Sequence, residues 1–323
     1  MAGLVTIFGG SGFVGRYIAR RLAAEGWRIR VACRRPNEAL FVRPYGVVGQ
    51  VEPVFCNIRD DDLVREVTRG ADAVVNCVGT FDAFGKNDFE AVQDEGATRI
   101  ARIASELGVR RLVHLSAIGA DADSDSGYAR SKAAGEAGVL KHMPDAVILR
   151  PSVVFGPEDQ FFNRFAGMAR SGPVVPLVGG ETRFQPVYVD DVAEAAALGV
   201  TGGAAPGIYE LGGPDVRTFR QLIDEMLQVI RRRALVVGIP RPVAMLMGRV
   251  FDWGDKLIGI KGPISADQVR QLGTDNVVAD DARGFEALGL SPTATEAVLP
   301  DYLWRFRPSG QYAAIKDSAR NLR

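Results

Sequence analysis

From Leu4 to about residue 156 the chain alternates short apolar runs with amphipathic stretches. LVTIF is followed by FVGRYIARRLAAEG, then RIRVAC, and onward through VEPVFCNI, DAVVNCVG, RRLVHLSAIG and DAVILRPSVVFG. Strands buried on both faces read as continuous apolar runs, and strands alternating with helical stretches predict a doubly wound parallel sheet with helices on both faces. Beyond residue 157 the rhythm loosens into longer loops, isolated strand signals such as GIYELGG, and helices such as TFRQLIDEMLQVIRRR. The expected fold is therefore α/β, with a sheet domain over residues 1–156 that also draws on about 185–212. A smaller α/β domain over 157–306 is expected to pack over the carboxyl edge of the sheet, where doubly wound folds bind ligands. An extended tail, 307–323, follows.

Composition narrows the partners. In 323 residues, 47% hydrophobic, Lys+Arg and Asp+Glu are 39 each. No overall field then draws the molecule to nucleic acid, and no nucleic-acid partner is expected. Cys33, Cys56 and Cys77 each close an apolar run, which suits small buried side chains in a reducing compartment; neither a disulfide framework nor a metal-ligand spacing is visible. The opening MAGLVTIFGG enters its first apolar run at once, so no targeting segment is expected. Apolar runs stay short of the roughly 18 residues that a membrane span requires.

The first strand runs directly into GGSGFVG, residues 9–15, and a helix opens there. In a Rossmann-type unit Gly9 permits the tight turn, Gly12 lets backbone approach a pyrophosphate, and Gly15 lets helix and strand touch. Gly10, Ser11, Phe13 and Val14 complete the loop that would face the phosphates. At the end of the second strand Arg34 and Arg35 stand where an NAD enzyme usually places a carboxylate for the ribose 2′-hydroxyl. Two guanidinium groups there favour a 2′-phosphate and hence NADP(H), unless both are only solvated ends of a surface turn. Asn57 and Ile58, ending the third run, lie where adenine would rest. Val78, Gly79 and Thr80, ending the fourth, lie beside the path of the second ribose and nicotinamide.

Ser116 closes the fifth run, and GYARSKAAGE places Tyr128 and Lys132 four residues apart on one face of the next helix. A phenol titrates near about 10 and exchanges protons at neutral pH only beside a cation. Lys132 can supply that charge and can also hold ribose hydroxyls. Ser116 can hydrogen-bond a substrate oxygen while Tyr128 gives or takes its proton. Tyr and Lys at this spacing are common on helix surfaces, and it is the glycine loop upstream that lends them meaning. In the connecting ADADSDSG the alternating Asp121, Asp123 and Asp125 resemble a calcium loop, yet Ser126 and Lys132 occupy the positions that need Gly and Glu. A mobile acidic loop over the site is expected instead. His114, inside a strand, and His142, near a helix end, read as structural.

Taken in order, GGSGFVG, SAIGA, YARSK, RPSVVFGP and FQPVYVDDVAEA resemble the extended short-chain dehydrogenase/reductase family over about residues 1 to 215. RRPNEALFVRPYGVVGQ, FGPEDQFFNRFAGMAR and AVLPDYLWRFRPSGQYAAIKDSARNLR are similar to a narrower branch, which carries the resemblance over nearly the whole chain. These are the dehydrogenase-like accessory subunits of respiratory complex I, the proton-pumping NADH:ubiquinone oxidoreductase, in their alphaproteobacterial form. The resemblance implies a tightly held NADPH that is not turned over, and a role in stabilising the peripheral arm near the quinone site. It also implies other complex I subunits as partners and a peripheral place on the cytoplasmic side of a bacterial inner membrane. Residue by residue it assigns Gly9 to Gly15 to the phosphates, Arg34 and Arg35 to the 2′-phosphate, Tyr128 and Lys132 to the nicotinamide ribose, and Pro151 and Val153 to cofactor contacts. Many members of the branch have lost catalytic residues. Here Ser116, Tyr128 and Lys132 are all kept, which leaves open an autonomous NADPH-dependent reductase or epimerase.

Two further stretches suggest a surface contact. At 100° per residue, 242–258 gathers Val243, Leu246, Met247, Val250, Phe251, Leu257 and Ile258 on one side, with Arg249, Asp252 and Lys256 opposite. Around it Arg231, Arg232, Arg233, Arg241, Arg249, Lys256 and Lys261 outweigh Asp252 and Asp255. A basic, Trp-bearing amphipathic helix can lie on anionic lipid or a partner subunit, although it can equally pack on its own domain. The tail RPSGQYAAIKDSARNLR has few apolar anchors and a positive surplus, so it is either disordered or laid along a partner.

Overall fold

A computed structural model describes residues 3–81, 85, 88–258 and 264–312. The chain divides into two compact units. The first takes 1–151, 189–212 and 278–292; the second takes 152–188, 213–277 and 293–323.

Among its described residues the first unit has seven strands, β1 (Leu4–Phe8), β2 (Arg28–Cys33), β3 (Val51–Phe55), β4 (Ala73–Asn76), β5 (Arg111–Leu115), β6 (Val147–Pro151) and β7 (Gly207–Leu211). They lie in the order β7-β6-β5-β4-β1-β2-β3, every pairing parallel. The chain runs outward from β1 through β2 to β3, then crosses to β4 and proceeds the other way. That reversal leaves a crevice at the carboxyl ends of β1 and β4. Between the strands lie helices α1 (Phe13–Ala24), α2 (Asp61–Thr68), α3 (Glu95–Glu106), α4 (Gly127–His142) and α5 (Val189–Thr201). Burial on both faces explains the unbroken apolar runs, since all four residues of β4 are buried. Phe8, Val74 and Leu112 pack under Ile100 and Ile103 of α3. Helix starts follow local chemistry: Asp60 accepts from the amides of Asp62 at 3.0 Å and Leu63 at 3.1 Å to cap α2, and Ser126 caps α4.

A buried ionic cluster ties three of these elements together. Arg150 of β6 grips Glu136 of α4 with both prongs, at 2.9 and 2.7 Å, and reaches Glu210 of β7 at 3.4 Å. The Glu136 side chain is only 5% exposed. The other oxygen of Glu210 accepts from the Ala279 amide at 3.0 Å, and its own amide donates to the Arg283 carbonyl at 2.9 Å. Residues 278–292, which the sequence pattern had assigned to the smaller domain, are thereby drawn to the sheet of the first unit. No strand or helix period announces such a return; buried Phe285 and Leu288 make it together with backbone and carboxylate hydrogen bonds.

The second unit is built around its own core, with Phe155, Phe162, Leu222, Ile223, Met226, Leu299 and Leu303 buried together. Thr218 and Gln221 form a capping box that starts the helix Phe219–Val229. Near the end of the helix Thr295–Leu303, the Tyr302 hydroxyl donates to Asp159 at 2.6 Å, while Asp159 also accepts from the amides of Gly156 and Asn163. In the helix Arg241–Ile258, Ala244 is buried and Asp252 accepts from the Ala266 amide at 3.1 Å. Val243, Leu246, Met247, Val250 and Trp253 lie exposed on the opposite side. Phe251, grouped with them by sequence, is instead half-buried. The side chains of 255–258, with Lys261 and the tail 313–323, lie outside the described residues. Among the described residues no helix is long and apolar enough to cross a membrane.

Replacing Arg150 with Met leaves Glu136 charged and buried without its partner, which costs roughly 3–5 kcal/mol. Urea unfolding of Arg150→Met is expected to show that loss, with the double variant Arg150→Met, Glu136→Leu recovering most of it.

Candidate functional site

The loop after β1 is closed by its own backbone. Gly9 has a φ of +74°, a left-handed conformation that side chains resist, and its amide donates to the Ala32 carbonyl at 3.0 Å. The Gly12 amide returns to the Gly9 carbonyl at 2.9 Å. A Cβ on Gly15 would sit 2.4 Å from that same carbonyl oxygen, so only glycine lets α1 start so close to the strand. No side chain caps α1 and no acidic residue stands in its first turn. Backbone amides with no helical acceptor at the positive end of a helix dipole attract an anion.

Arg34 and Arg35 emerge exposed just past β2. Arg35 pairs with Glu38 at 3.2 Å, whereas Arg34 has no ion-pair partner among the described residues. A third guanidinium escaped the sequence reading. Arg16 donates to the carbonyls of Gly12 at 3.2 Å and Ser11 at 3.3 Å and lies 4.6 Å from the ring centre of Phe41. Its place directly after Gly15 was the available signal. Phe41 belongs to a 3-10 segment, Pro36–Tyr45, that follows β2. Asn57 and Ile58 lie just beyond β3. The Asn57 carbonyl accepts from the Asp60 amide at 3.0 Å, and Ile58 packs on the core.

At the other end of the crevice Lys132 is the hub. It is 6% exposed and donates to the Leu115 carbonyl at 3.1 Å. Its nitrogen lies 3.5 Å from where a Cβ on Gly79 would stand and 5.9 Å from the ring centre of Tyr128. Burial pushes its amine down to about 8, with Glu136 and Cys77 pulling the other way. Tyr128 is flanked by Phe81, stacked at 5.2 Å, and by Phe89, edge-on at 5.9 Å. Burial raises its phenol above the usual value, and the lysine does not bring it down in this arrangement. Ser116 is 5% exposed and its hydroxyl has no hydrogen-bond partner among the described residues. An orphaned buried hydroxyl costs free energy unless a ligand completes it.

Hydrogen bonds hold the neighbouring backbone in place. Val78 donates to Asn76 at 3.0 Å, Asn76 meets His114 at 3.1 Å, and the Thr80 carbonyl accepts from Gln93 at 2.9 Å. Gln93 sits in a π-turn, Glu90–Asp94, ahead of α3. The Pro151 carbonyl, ending β6, accepts from the Ile118 amide at 3.1 Å. Val153 belongs to the second unit, where its amide donates to Asn276 at 3.0 Å. The acidic loop expected to be mobile is tied to the start of α4, with the Asp121 amide donating to the Ala129 carbonyl at 3.3 Å and Asp123 to the Asp121 side chain at 3.0 Å.

Open amides at α1, guanidinium groups past β2 and a Ser-Tyr-Lys set past β5 fit the two ends of a nicotinamide dinucleotide. Residues 5–212 match the model of the NAD dependent epimerase/dehydratase family. The chain belongs to that family. Within the epimerase/dehydratase family it is 35% identical over 320 residues to NADH dehydrogenase [ubiquinone] 1 alpha subcomplex subunit 9, mitochondrial, of Arabidopsis thaliana, covering 96% of this chain and 80% of the relative. This places it in the subunit 9 branch. A ceramide reductase of Caulobacter vibrioides is 29% identical over 274 residues, covering 84% of each chain. The structure of the dTDP-glucose 4,6-dehydratase DesIV from Streptomyces venezuelae, with NAD and TYD bound, superposes with a TM-score of 0.70 at 21% identity, over 97% of this chain and 99% of that one. That likeness confirms the fold.

Gly15→Ala is expected to abolish retention of a dinucleotide, measured as nucleotide released per chain from purified protein, because the new methyl displaces either the loop or the helix. His114 supplies a pH test. Burial holds it neutral, pushing its pKa down to about 3 from 6.5. The unfolded chain binds this proton first as pH falls, so the stability is present above pH 6.5 and is lost between there and pH 3. Across that window His114→Leu should lose stability less steeply than the unaltered chain, by up to about 1.4 kcal/mol per pH unit. Urea unfolding at several pH values measures the difference in slope, from which the carboxylates common to both chains cancel.

Proposed function

We propose that this chain is an accessory subunit of complex I that holds NADPH tightly as a structural cofactor. The similarity to NADH dehydrogenase subunit 9 along almost the entire chain carries the reading. Its partners are other complex I subunits near the quinone-binding module, and its place is peripheral, on the cytoplasmic side of a bacterial inner membrane. The exposed apolar stripe of the helix Arg241–Ile258, with Arg249 beside it, supports a contact with lipid or a neighbouring subunit. Arg34 and Arg16 support a 2′-phosphate on the cofactor, while Arg35 must leave or share Glu38 to join them. Tyr128 and Lys132 act in this reading as ribose ligands; a phenol held up by burial is suited to hydrogen bonding rather than to ionising. A ligand that binds only the folded state stabilises it by mass action, which is how the nucleotide would stiffen the subunit.

One observation favours a second reading. Ser116, Tyr128 and Lys132 are all present, and the Ser116 hydroxyl lacks a partner among the described residues, as expected of a reductase or epimerase awaiting its substrate.

Mild solubilisation of membranes, size separation and identification of the released nucleotide test the leading proposal. NADPH in a particle far larger than this chain is expected, and recovery as a free soluble chain would refute it. Arg34→Glu should weaken NADPH retention roughly tenfold or more, since charged hydrogen bonds contribute about 1.5–3 kcal/mol. NADH retention should change much less, and equal losses for the two nucleotides would argue against a 2′-phosphate contact.

A further inference from the structure

The second unit carries a two-stranded ribbon that is apolar on both of its faces. Strands Val174–Val178 and Leu235–Ile239 pair in parallel, Leu235 against Val174 and Val237 against Pro176. Their inward residues Val175, Leu177 and Val236 are buried in the core of this unit. The alternate residues Val174, Pro176, Leu235 and Val237 are exposed, and all four are apolar. Parallel strands are ordinarily covered on both faces, so an outer face on which Leu235 is 66% exposed marks a contact surface. Pro240 then leads directly into the helix Arg241–Ile258, which joins the end of the ribbon by setting Ala244 in a small core with Val178 and Ile239. The exposed side of that helix presents Val243, Leu246, Val250 and Trp253, the last 68% exposed.

Arginines bracket both elements. Arg231, Arg232 and Arg233 precede the second strand, Arg241 opens the helix and Arg249 lies along it, with no acidic residue anywhere from 231 to 251. Arg231, Arg233, Arg241 and Arg249 are exposed. A protein interface mixes donors with acceptors and forms about one hydrogen bond per 100–200 Å². This surface offers charge of one sign around aliphatic side chains and a tryptophan, which is what an anionic headgroup layer requires. We propose that ribbon and helix together seat the second unit on an anionic bilayer, with the apolar side chains entering the headgroup region and the arginines pairing with lipid phosphates. The inference rests on the contact proposed above for the helix stripe, commits it to lipid and adds the ribbon to it. The contact is peripheral, because the stripe occupies one side of the helix only.

Purified full-length chain is floated with vesicles of phosphatidylcholine alone or mixed with phosphatidylglycerol. Recovery with the mixed vesicles and not with phosphatidylcholine alone is expected, and added salt should reduce it. Leu235→Asn in the ribbon and Leu246→Asn in the helix should each weaken partitioning about tenfold. Arg233→Gln combined with Arg249→Gln should weaken it about twenty-fivefold, at about fivefold for each arginine near the surface. All four side chains are exposed, so unchanged urea midpoints show that the variants still fold. Bromine on the lipid acyl chains should quench the tryptophan fluorescence of the bound chain, and Trp253→Phe should remove most of that quenching, which charge attraction alone does not produce. No flotation with the mixed vesicles, or flotation that none of these variants weakens, overturns the inference. If the chain fails to float while Leu246→Asn releases it from a large membrane-derived particle, the surface belongs to a protein partner; that result overturns the lipid assignment and leaves the accessory-subunit reading standing. Flotation weakened as expected, by a chain that never enters such a particle, supports the inference and removes the complex I reading instead.

Discussion

The contact between Gly15 and the Gly9 carbonyl is the constraint on which the first unit depends. With any larger residue the opening of α1 would be pushed away from the end of β1, and the amides of its first turn would no longer face the place where β1 and β4 part. Three features meet at that single approach. The first-turn amides, uncapped by any side chain, stay open beside the loop, no carboxylate stands in that turn to compete for them, and Arg16 is brought within reach of the loop carbonyls. Sheet order then fixes where the Ser-Tyr-Lys set falls, since β5 lies beside β4 and delivers Ser116 to the same edge.

Most of the first unit was legible because its central strands, β4 above all, are buried on both faces and read as apolar runs. LVTIF, RIRVAC and DAVVNCVG could hardly be anything else once glycines and helical stretches separate them. Elements shaped by polar contacts or by unusual backbone left no such trace. The 3-10 segment Pro36–Tyr45 and the π-turn Glu90–Asp94 have compositions compatible with an ordinary loop and an ordinary helix. The return of 278–292 rests on the Glu210 carboxylate accepting from the Ala279 amide, 69 positions away, and on buried Phe285 and Leu288, a pairing that no local pattern encodes.

The site divides similarly. Spacing identified Tyr128 and Lys132 as neighbours on one helical face, yet it could not show that the amine is spent on the Leu115 carbonyl or that two phenylalanines enclose the phenol. Burial acts on the pair in opposite senses. It lowers the lysine to about 8 and raises the tyrosine, which keeps the phenol protonated beside an amine that still carries its own proton at neutral pH. A clamp of that kind tolerates long occupancy by a nucleotide, and the same neutral phenol is already in the protonation state a reductase uses.

The way the two units share the chain has a consequence for biosynthesis. The backbone leaves the first unit after 151, returns at 189, leaves after 212, returns at 278 and leaves again after 292. When residue 151 emerges from a ribosome the sheet still lacks β7, and Glu136 and Arg150 still lack Glu210. The first unit therefore cannot be finished before most of the second has been synthesised, so a chain stalled or cleaved midway yields an unclosed sheet edge rather than a functional half. Quality control acting on that exposed edge would count this protein as all or nothing.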